Sequence, residues 1–243
     1  MTTLVIDLET IADTSRWTPP VEDPNAFPPP WACRIVCAGY LHLDDDDKLV
    51  ELGAYTGIPS PDPDLRERSL LLALSRPLDA ARRERRMPLL CTWNGRGFDM
   101  PVIVMRALCH AVPIPWWYAE AATRTRYRED RHLDLMDALS DHGAGKYVGL
   151  DAAAKLIGLP GKTDHGSNVA ELHARGDLDA IVSYCMADVA QTALLLLRYR
   201  LLQLDLMPAQ YAEREAALRS ALALDPRLAA LFPMQPIAAS EVA

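Results

Sequence analysis

The sequence predicts a single α/β domain whose mixed β-sheet is flanked by helices. Three observations carry this. Short apolar, β-branched runs come first in the chain, helices interleave with the later strands, and no linker is long enough to separate two folding units. At 243 residues there is room for one large domain or one domain with an appendage. A hydrophobic content of 50% with 24% charged residues is ordinary for a chain with a sizeable core. The expected division is a domain over residues 1–207, with a C-terminal helix and tail over 208–243 packed on it.

Leu4–Leu8 holds Val5 and Ile6 in an apolar run, as a buried central strand does. From Trp17 to Trp31 the chain is rich in proline and ends in Pro28-Pro29-Pro30. It reads as loop or extended cover, because proline fits neither a helix interior nor an inner strand. Arg34–Leu43 is a second strand, and the acidic turn Asp44–Asp47 with the run Lys48–Tyr55 completes an antiparallel hairpin. Pro61 and Pro63 open a helix rich in Leu and Arg over about residues 64–85. Leu89–Trp93 is another strand, and a helix begins near Asp99. Residues 111–131 read as irregular and 132–160 as short helical pieces. The strongest helical signal is Leu178–Leu204, where apolar residues recur at three- and four-residue spacing. A last amphipathic helix follows Pro208, and the tail after Pro233 is expected to fray.

Twenty-five Lys and Arg against 33 Asp and Glu leave a net charge of −8. A protein that coats nucleic acid through its phosphates is usually basic, so a general packaging role is disfavoured while local basic patches stay allowed. The five cysteines form neither a disulfide framework nor a paired zinc motif. Buried, reduced thiols of a cytoplasmic protein are the expectation. Met1-Thr2-Thr3 leads into a short run that contains acids, which is not a signal peptide. No apolar stretch approaches the roughly 18–20 residues that span a bilayer, so no membrane partner is expected.

Three clusters carry chemistry. Asp7 and Glu9, at i and i+2 on the first strand, project from one face. Two carboxylates at the end of a buried strand are costly unless they meet cations, though a strand end turning into solvent also carries acids. Asn94-Gly95-Arg96-Gly97-Phe98-Asp99-Met100-Pro101 follows a strand directly. Pro101 fits only the first turn of a helix, which puts Asp99 at or beside the N-cap, where capping alone accounts for it. Tyr184 and Asp188, at i and i+4, share a face of a helix that is otherwise apolar there, so Asp188 needs a partner. A satisfied Tyr–Asp pair in the core meets that need equally well.

Together the three are far more specific than any one. The order Asp-x-Glu, Asn-x-x-x-Phe-Asp, Tyr-x-x-x-Asp resembles the DEDD superfamily of 3′–5′ exonucleases, of ribonuclease H-like fold. The tyrosine points to its DEDDy branch. The likeness is closest to the exonuclease domain of family-B DNA polymerases and its stand-alone bacterial relatives, over about residues 4–204. Arg131–Asp137 and Leu159–Ser167 look like segments of those relatives. The histidine branch uses His-x-x-x-x-Asp, and His132 and Asp137 have that spacing. They lie too soon after Asp99 and before the long helix, and Ser183 stands five residues before Asp188.

The resemblance implies Asp7, Glu9, Asp99, Asp188 and Tyr184 as catalytic residues, the four carboxylates being metal ligands. Clustered carboxylates favour hard cations with oxygen ligands, Mg²⁺ or Mn²⁺. Two such ions roughly 4 Å apart clamp the attacking and leaving oxygens of a phosphodiester. Asp7 is implied to bridge both ions, Glu9 and Asp188 to complete one site, and Asp99 to hold the other ion largely through water. Tyr184 is implied to orient the attacking water, a phenol of pKa about 10 being a poor base at neutral pH. Substrate contacts are expected from Leu8, Thr10 and Ile11 around the first motif and from Asn94 and Phe98 near the terminal nucleotide. Phe98 serves equally as core. Lys146 and Lys162 are candidates for phosphates. Arg124–Arg131 beside Trp116-Trp117-Tyr118 combines cations and aromatics as single-strand binders do, or is a surface loop packed by its own aromatics.

The expected activity is release of 5′-mononucleotides from the 3′ end of single-stranded DNA, with proofreading or repair carried out as a separate chain. RNA 3′-end trimming by the same constellation, a non-catalytic nucleic-acid-binding module and a hydrolase of free nucleotides are the alternatives. Contacts to the 2′-OH would separate the polymers. Asp44–Asp47 lacks the spacing of a calcium loop and reads as a solvated turn. His42, His110, His142 and His173 show no ligand spacing.

Overall fold

A computed structural model describes residues 1–161 and 169–232. Lys162, the rest of the 162–168 segment and the tail after Pro233 lie outside the described residues. The strands β1 (Thr3–Ala12), β2 (Cys33–Leu43), β3 (Leu49–Tyr55), β4 (Leu89–Thr92) and β5 (His132–Asp134) form one sheet in the order β3-β2-β1-β4-β5. β1 pairs antiparallel with β2 and parallel with β4, so the sheet is mixed as expected.

The register positions the chemistry. Asp7 lies opposite Gly39 and Glu9 opposite Cys37, with an irregularity between Glu9 and Thr10. On its other side β1 pairs with β4 only through Val5, opposite Cys91. Asp7, Leu8 and Glu9 therefore run past the last pair and open a crevice at the carboxyl ends of the parallel strands, where α/β sheets place ligands.

Alternation along β1 divides the core. Val5 faces α8 (Leu178–Leu202), together with Leu41, Cys91 and Leu133. Ile6 and Leu8 face α1 (Pro63–Arg83) and α2 (Asp99–Cys109). Contrary to the expectation that no apolar stretch approaches bilayer-spanning length, α8 is long and apolar enough to cross a bilayer by length and composition. Most of it is buried against the strands and the helices α6 (Leu150–Leu156), α7 (Val169–Ala174) and α9 (Pro208–Leu222). α9 sends Leu218 and Leu222 into that core.

Several expectations change. Residues 132–134 are a strand rather than helix, too short for their alternation to show against the irregular chain around them. The stretch before it holds the single turns α3 (Pro115–Tyr118) and α4 (Ala121–Arg124), and α5 (Leu135–Leu139) follows it. The acidic hairpin turn is not wholly solvated. Asp47 is buried with φ +60° and holds both Arg200 and Arg214 (Oδ2–Nη1 2.6 Å to the latter), tying α8 and α9 to the hairpin. Four cysteines are buried, but Cys109, at the exposed end of α2, is not.

Between β1, α1 and α2 lies a buried ion network. Arg106 is fully buried, with Nε 2.8 Å from Glu67 Oε1 and Nη2 2.9 Å from Asp13 Oδ2. Arg34 bridges Asp13 (3.0 Å) and Asp64 (2.7 Å). Glu67 also accepts the Ile35 N–H at 2.8 Å. Burial opposes ionisation of Asp13, but hydrogen bonds from Ser15, Arg34 and Arg16 outweigh it and hold the carboxyl well below the usual range.

Candidate active site

The first strand, the start of α2 and the middle of α8 meet at the crevice. Asp99 is the first residue of α2, yet Phe98 stands at the N-cap and makes no side-chain cap bond. The expected capping role does not hold. Asp99 instead turns to β1, where its Oδ1 accepts the Leu8 N–H at 3.0 Å. That N–H lies beyond the last pair of β1 with β4, which is at Val5, three residues earlier.

The acids crowd one another. Burial is the main force pushing the Asp99 carboxyl up, from 3.8 to about 7. Its own N–H and that of Leu8 oppose the rise, while the charges of Asp134 and Asp188 add to it. Asp188 on α8 and Asp99 on α2 thus feel each other across the crevice. Asp188 is 4% exposed and Glu9 8%, whereas Asp7 and Tyr184 are half-buried.

Asp7, Glu9 and Cys185 each offer a ligand atom within 4.8 Å of the other two. The Cys185 Sγ accepts the Gly39 N–H at 3.2 Å and lies 3.6 Å from Asp7 Oδ2. Burial, with Cys37, Asp7 and Glu9 beside it, pushes this thiol well above its usual range. It therefore stays a neutral S–H donor toward Asp7. In sequence Cys185 reads as a buried thiol; the signal of its role is its place inside Tyr-x-x-x-Asp, between Tyr184 and Asp188.

The loop before Asp99 is held from β5. Asp134 accepts the N–H groups of Asn94 (2.9 Å) and Arg96 (2.8 Å). Asn94 adopts φ +62°, a left-handed conformation that asparagine tolerates. A Cβ on Gly95 would lie 2.4 Å from Thr92 Oγ1, which explains the glycine. Asp134 was legible only as part of a supporting segment, since its role rests on partners about forty residues away.

The predicted substrate residues divide. Leu8 is core, and its N–H is taken by Asp99. Ile11 packs with Tyr184 against Ile181 and Val36. Thr10 is half-buried just past the register irregularity. Phe98 packs on the core and meets the Phe27 ring, 5.7 Å between centroids. Asn94 lines a cavity of about 730 Å³. Lys146 is exposed and lines a separate cavity of about 230 Å³. In the arginine segment, Arg126, Arg128 and Arg131 pair with Asp137, Asp130 and Glu120, and Trp116 and Trp117 are buried. Much of that segment is packed as a surface loop.

A second set, Asp64, Glu67 and His110, also has metal-ligand spacing in space, although His110 showed none in sequence. The guanidiniums of Arg16, Arg34 and Arg106 already meet its acids, and His110 Nε2 lies 2.8 Å from Glu67 Oε2.

A family described as predicted 3′–5′ exonucleases related to the exonuclease domain of PolB has a model that matches residues 25–231. The match begins after β1, so Asp7 and Glu9 lie outside it. A sequence search of curated proteins gave no match. Among solved structures, the chain is similar to the family B DNA polymerase from the hyperthermophilic archaeon Pyrobaculum calidifontis, at 15% identity and TM-score 0.56. That alignment covers 90% of this chain and 29% of the polymerase. It is also similar to E. coli exonuclease I in complex with a dT13 oligonucleotide, at 15% identity and TM-score 0.45, over 84% of this chain and 42% of that one. The chain thus spans less than half the length of either. The polymerase likeness is one of fold, the ribonuclease H-like arrangement of a mixed sheet flanked by helices.

Proposed function

The chain belongs to the family of predicted 3′–5′ exonucleases related to the exonuclease domain of PolB, and on that premise we propose that it removes 5′-mononucleotides from the 3′ end of single-stranded DNA at Asp7, Glu9, Asp99 and Asp188. The observation that carries this reading is the meeting of these acids from β1, α2 and α8, with Asp99 raised to about 7 by burial and by the acids around it. Such crowding suits a site completed by cations.

The donor set fits hard divalent ions. Its carboxylates supply oxygen, and the sulfur that lies with Asp7 and Glu9, that of Cys185, is kept as a neutral thiol. Asp7, Glu9 and Asp188 would hold one Mg²⁺ or Mn²⁺, and Asp7 with Asp99 a second. Bound there, such ions supply Lewis acidity toward the phosphoryl oxygens and a more acidic water. The chain's own groups do the rest. The Leu8 N–H fixes the Asp99 carboxyl, and the Cys185 thiol steadies that of Asp7. Tyr184, one turn before Asp188, is placed to orient the attacking water. Asp134 holds the Asn94–Arg96 backbone, so that Asn94 is presented to the terminal nucleotide. DNA is preferred over RNA in this reading because the family is related to a DNA polymerase's exonuclease domain.

The test follows a 5′-labelled single-stranded DNA and its RNA counterpart with Mg²⁺, Mn²⁺ or EDTA. A metal-dependent ladder shortening from the 3′ end is expected, reduced in Asp7→Asn and Asp188→Ala to the level seen in EDTA. Faster loss of the RNA would reassign the substrate. Undiminished cutting by Asp188→Ala would remove the site from the reaction.

A further inference from the structure

A cavity of about 730 Å³ lies beside the loop that precedes Asp99 and falls within the roughly 300–1,000 Å³ of ligand clefts. Asn94 and Gly97 form its edge nearest that aspartate, and Met100, Pro101 and Trp117 give it an apolar floor. Its rim is charged, with arginines outnumbering the aspartates Asp134 and Asp137, on a chain whose net charge is −8. Three arginines line it, and they differ in how their charge is used.

Arg126 is spent on Asp137, which it grips with Nε at 3.0 Å and Nη2 at 2.7 Å. The Arg96 guanidinium donates to carbonyl oxygens, of His132 (2.6 Å), Arg128 (3.2 Å) and Thr123 (3.5 Å), and among the described residues it is in contact with no carboxylate. Arg124 is exposed and lies over the Tyr118 ring, 5.3 Å from its centroid; among the described residues its guanidinium pairs with no acid. An apolar floor under guanidiniums suits a ligand with a flat apolar part and an anionic part, as a nucleotide has.

We propose that this cavity seats the nucleotides just upstream of the 3′-terminal one, with bases over the Met100–Pro101–Trp117 floor and a backbone phosphate against Arg124. The inference rests on the exonuclease reading and deepens it. It gives the enzyme a grip on the strand that does not depend on the terminal residue, and a mononucleotide could not use the whole of it. Arg96, fixed by three carbonyls, supplies field rather than a movable contact.

The experiment measures binding without cleavage. A 5′-fluorescein oligothymidylate of about eight residues, a length typical of single-strand sites, is titrated in EDTA and followed by anisotropy across a salt series. Loss of one phosphate contact predicts that Arg124→Ala binds about tenfold more weakly. It also predicts a slope of log K against log salt flatter by about 0.7. Arg124→Lys should restore the slope, and Arg83→Ala, on the exposed end of α1, should change neither quantity. Circular dichroism checks that the variants are folded. Wild-type affinity and slope in Arg124→Ala would overturn the inference while leaving the exonuclease reading to the cleavage assay. If thymidine 5′-monophosphate binds with the same dependence on Arg124 and the strand gains nothing over it, the cavity takes a free nucleotide and the strand proposal falls.

Discussion

Asp99 is where the chain's electrostatics are most exposed to test. Its carboxyl ionises near 7 in the folded protein against 3.8 ordinarily, with burial as the main cause. Between these values the folded chain keeps a proton that the unfolded chain has released, so the metal-free protein loses stability as pH rises from about 4 to about 7. Thermal melts in EDTA should show that decline, and Asp99→Asn should flatten it. Adding Mn²⁺ at pH 8 should raise the melting temperature of the wild type more than that of Asp99→Asn. A decline of equal size in both proteins would place the titration elsewhere. Cys185 makes a second prediction at this scale, because its thiol faces Asp7 Oδ2 at 3.6 Å. Groups that orient a ligand typically carry about 10- to 100-fold in metal affinity. Cys185→Ala should shift the Mn²⁺ activation midpoint by that order, and an unmoved midpoint would reduce the thiol to packing.

Among the elements, the fit of α8 on β2 is tight at Gly39. A Cβ there would stand 2.8 Å from Cys185 Sγ and 3.3 Å from the Cys185 carbonyl oxygen. Gly39→Ala should cost about 1–3 kcal/mol in urea denaturation, as overpacking does. Combining it with Cys185→Ala should recover part of that cost, because the residues touch. The ion network fixes the other side of the sheet. Removing Arg106, which is fully buried, leaves Asp13 and Glu67 short of a cation. Arg106→Met should destabilise by about 3–5 kcal/mol, read as a lower urea midpoint at unchanged slope. A loss below about 1 kcal/mol would mean that Arg34 alone satisfies both acids.

Across the whole molecule, what the sequence made legible is what depends on short spacing. Asp7 with Glu9, and Tyr184 with Asp188, declare a shared face by separations of two and four. The strands and long helices declare themselves by composition. The rest depends on partners distant in the chain. Asp99 looks like a cap until Leu8, 91 residues away, takes its carboxylate. Asp47 looks solvated until Arg200 and Arg214 close over it. Asp134 and Cys185 gain meaning only from the loop and the strand they touch, and β5 is too short to signal at all. α9 reads from sequence as an amphipathic helix packed on the domain, but what it packs on shows only in space, where Leu218 and Leu222 lie in the same core as Val5. Leu222→Ala should therefore cost about 2–5 kcal/mol, measured by urea denaturation.

The docking of α8 on β1 and β2 also has a consequence in time. A ribosome makes Asp7 and Glu9 first and Asp99 next, and Asp188 only long afterwards, inside the helix that ends at Leu202. A nascent chain thus holds most of its acids with nothing to close over them. The last of them arrives on the helix that α9 then packs against to finish the hydrophobic interior. In the proposed reading, competence for cleavage therefore waits for that helix, and a chain interrupted before it is inert.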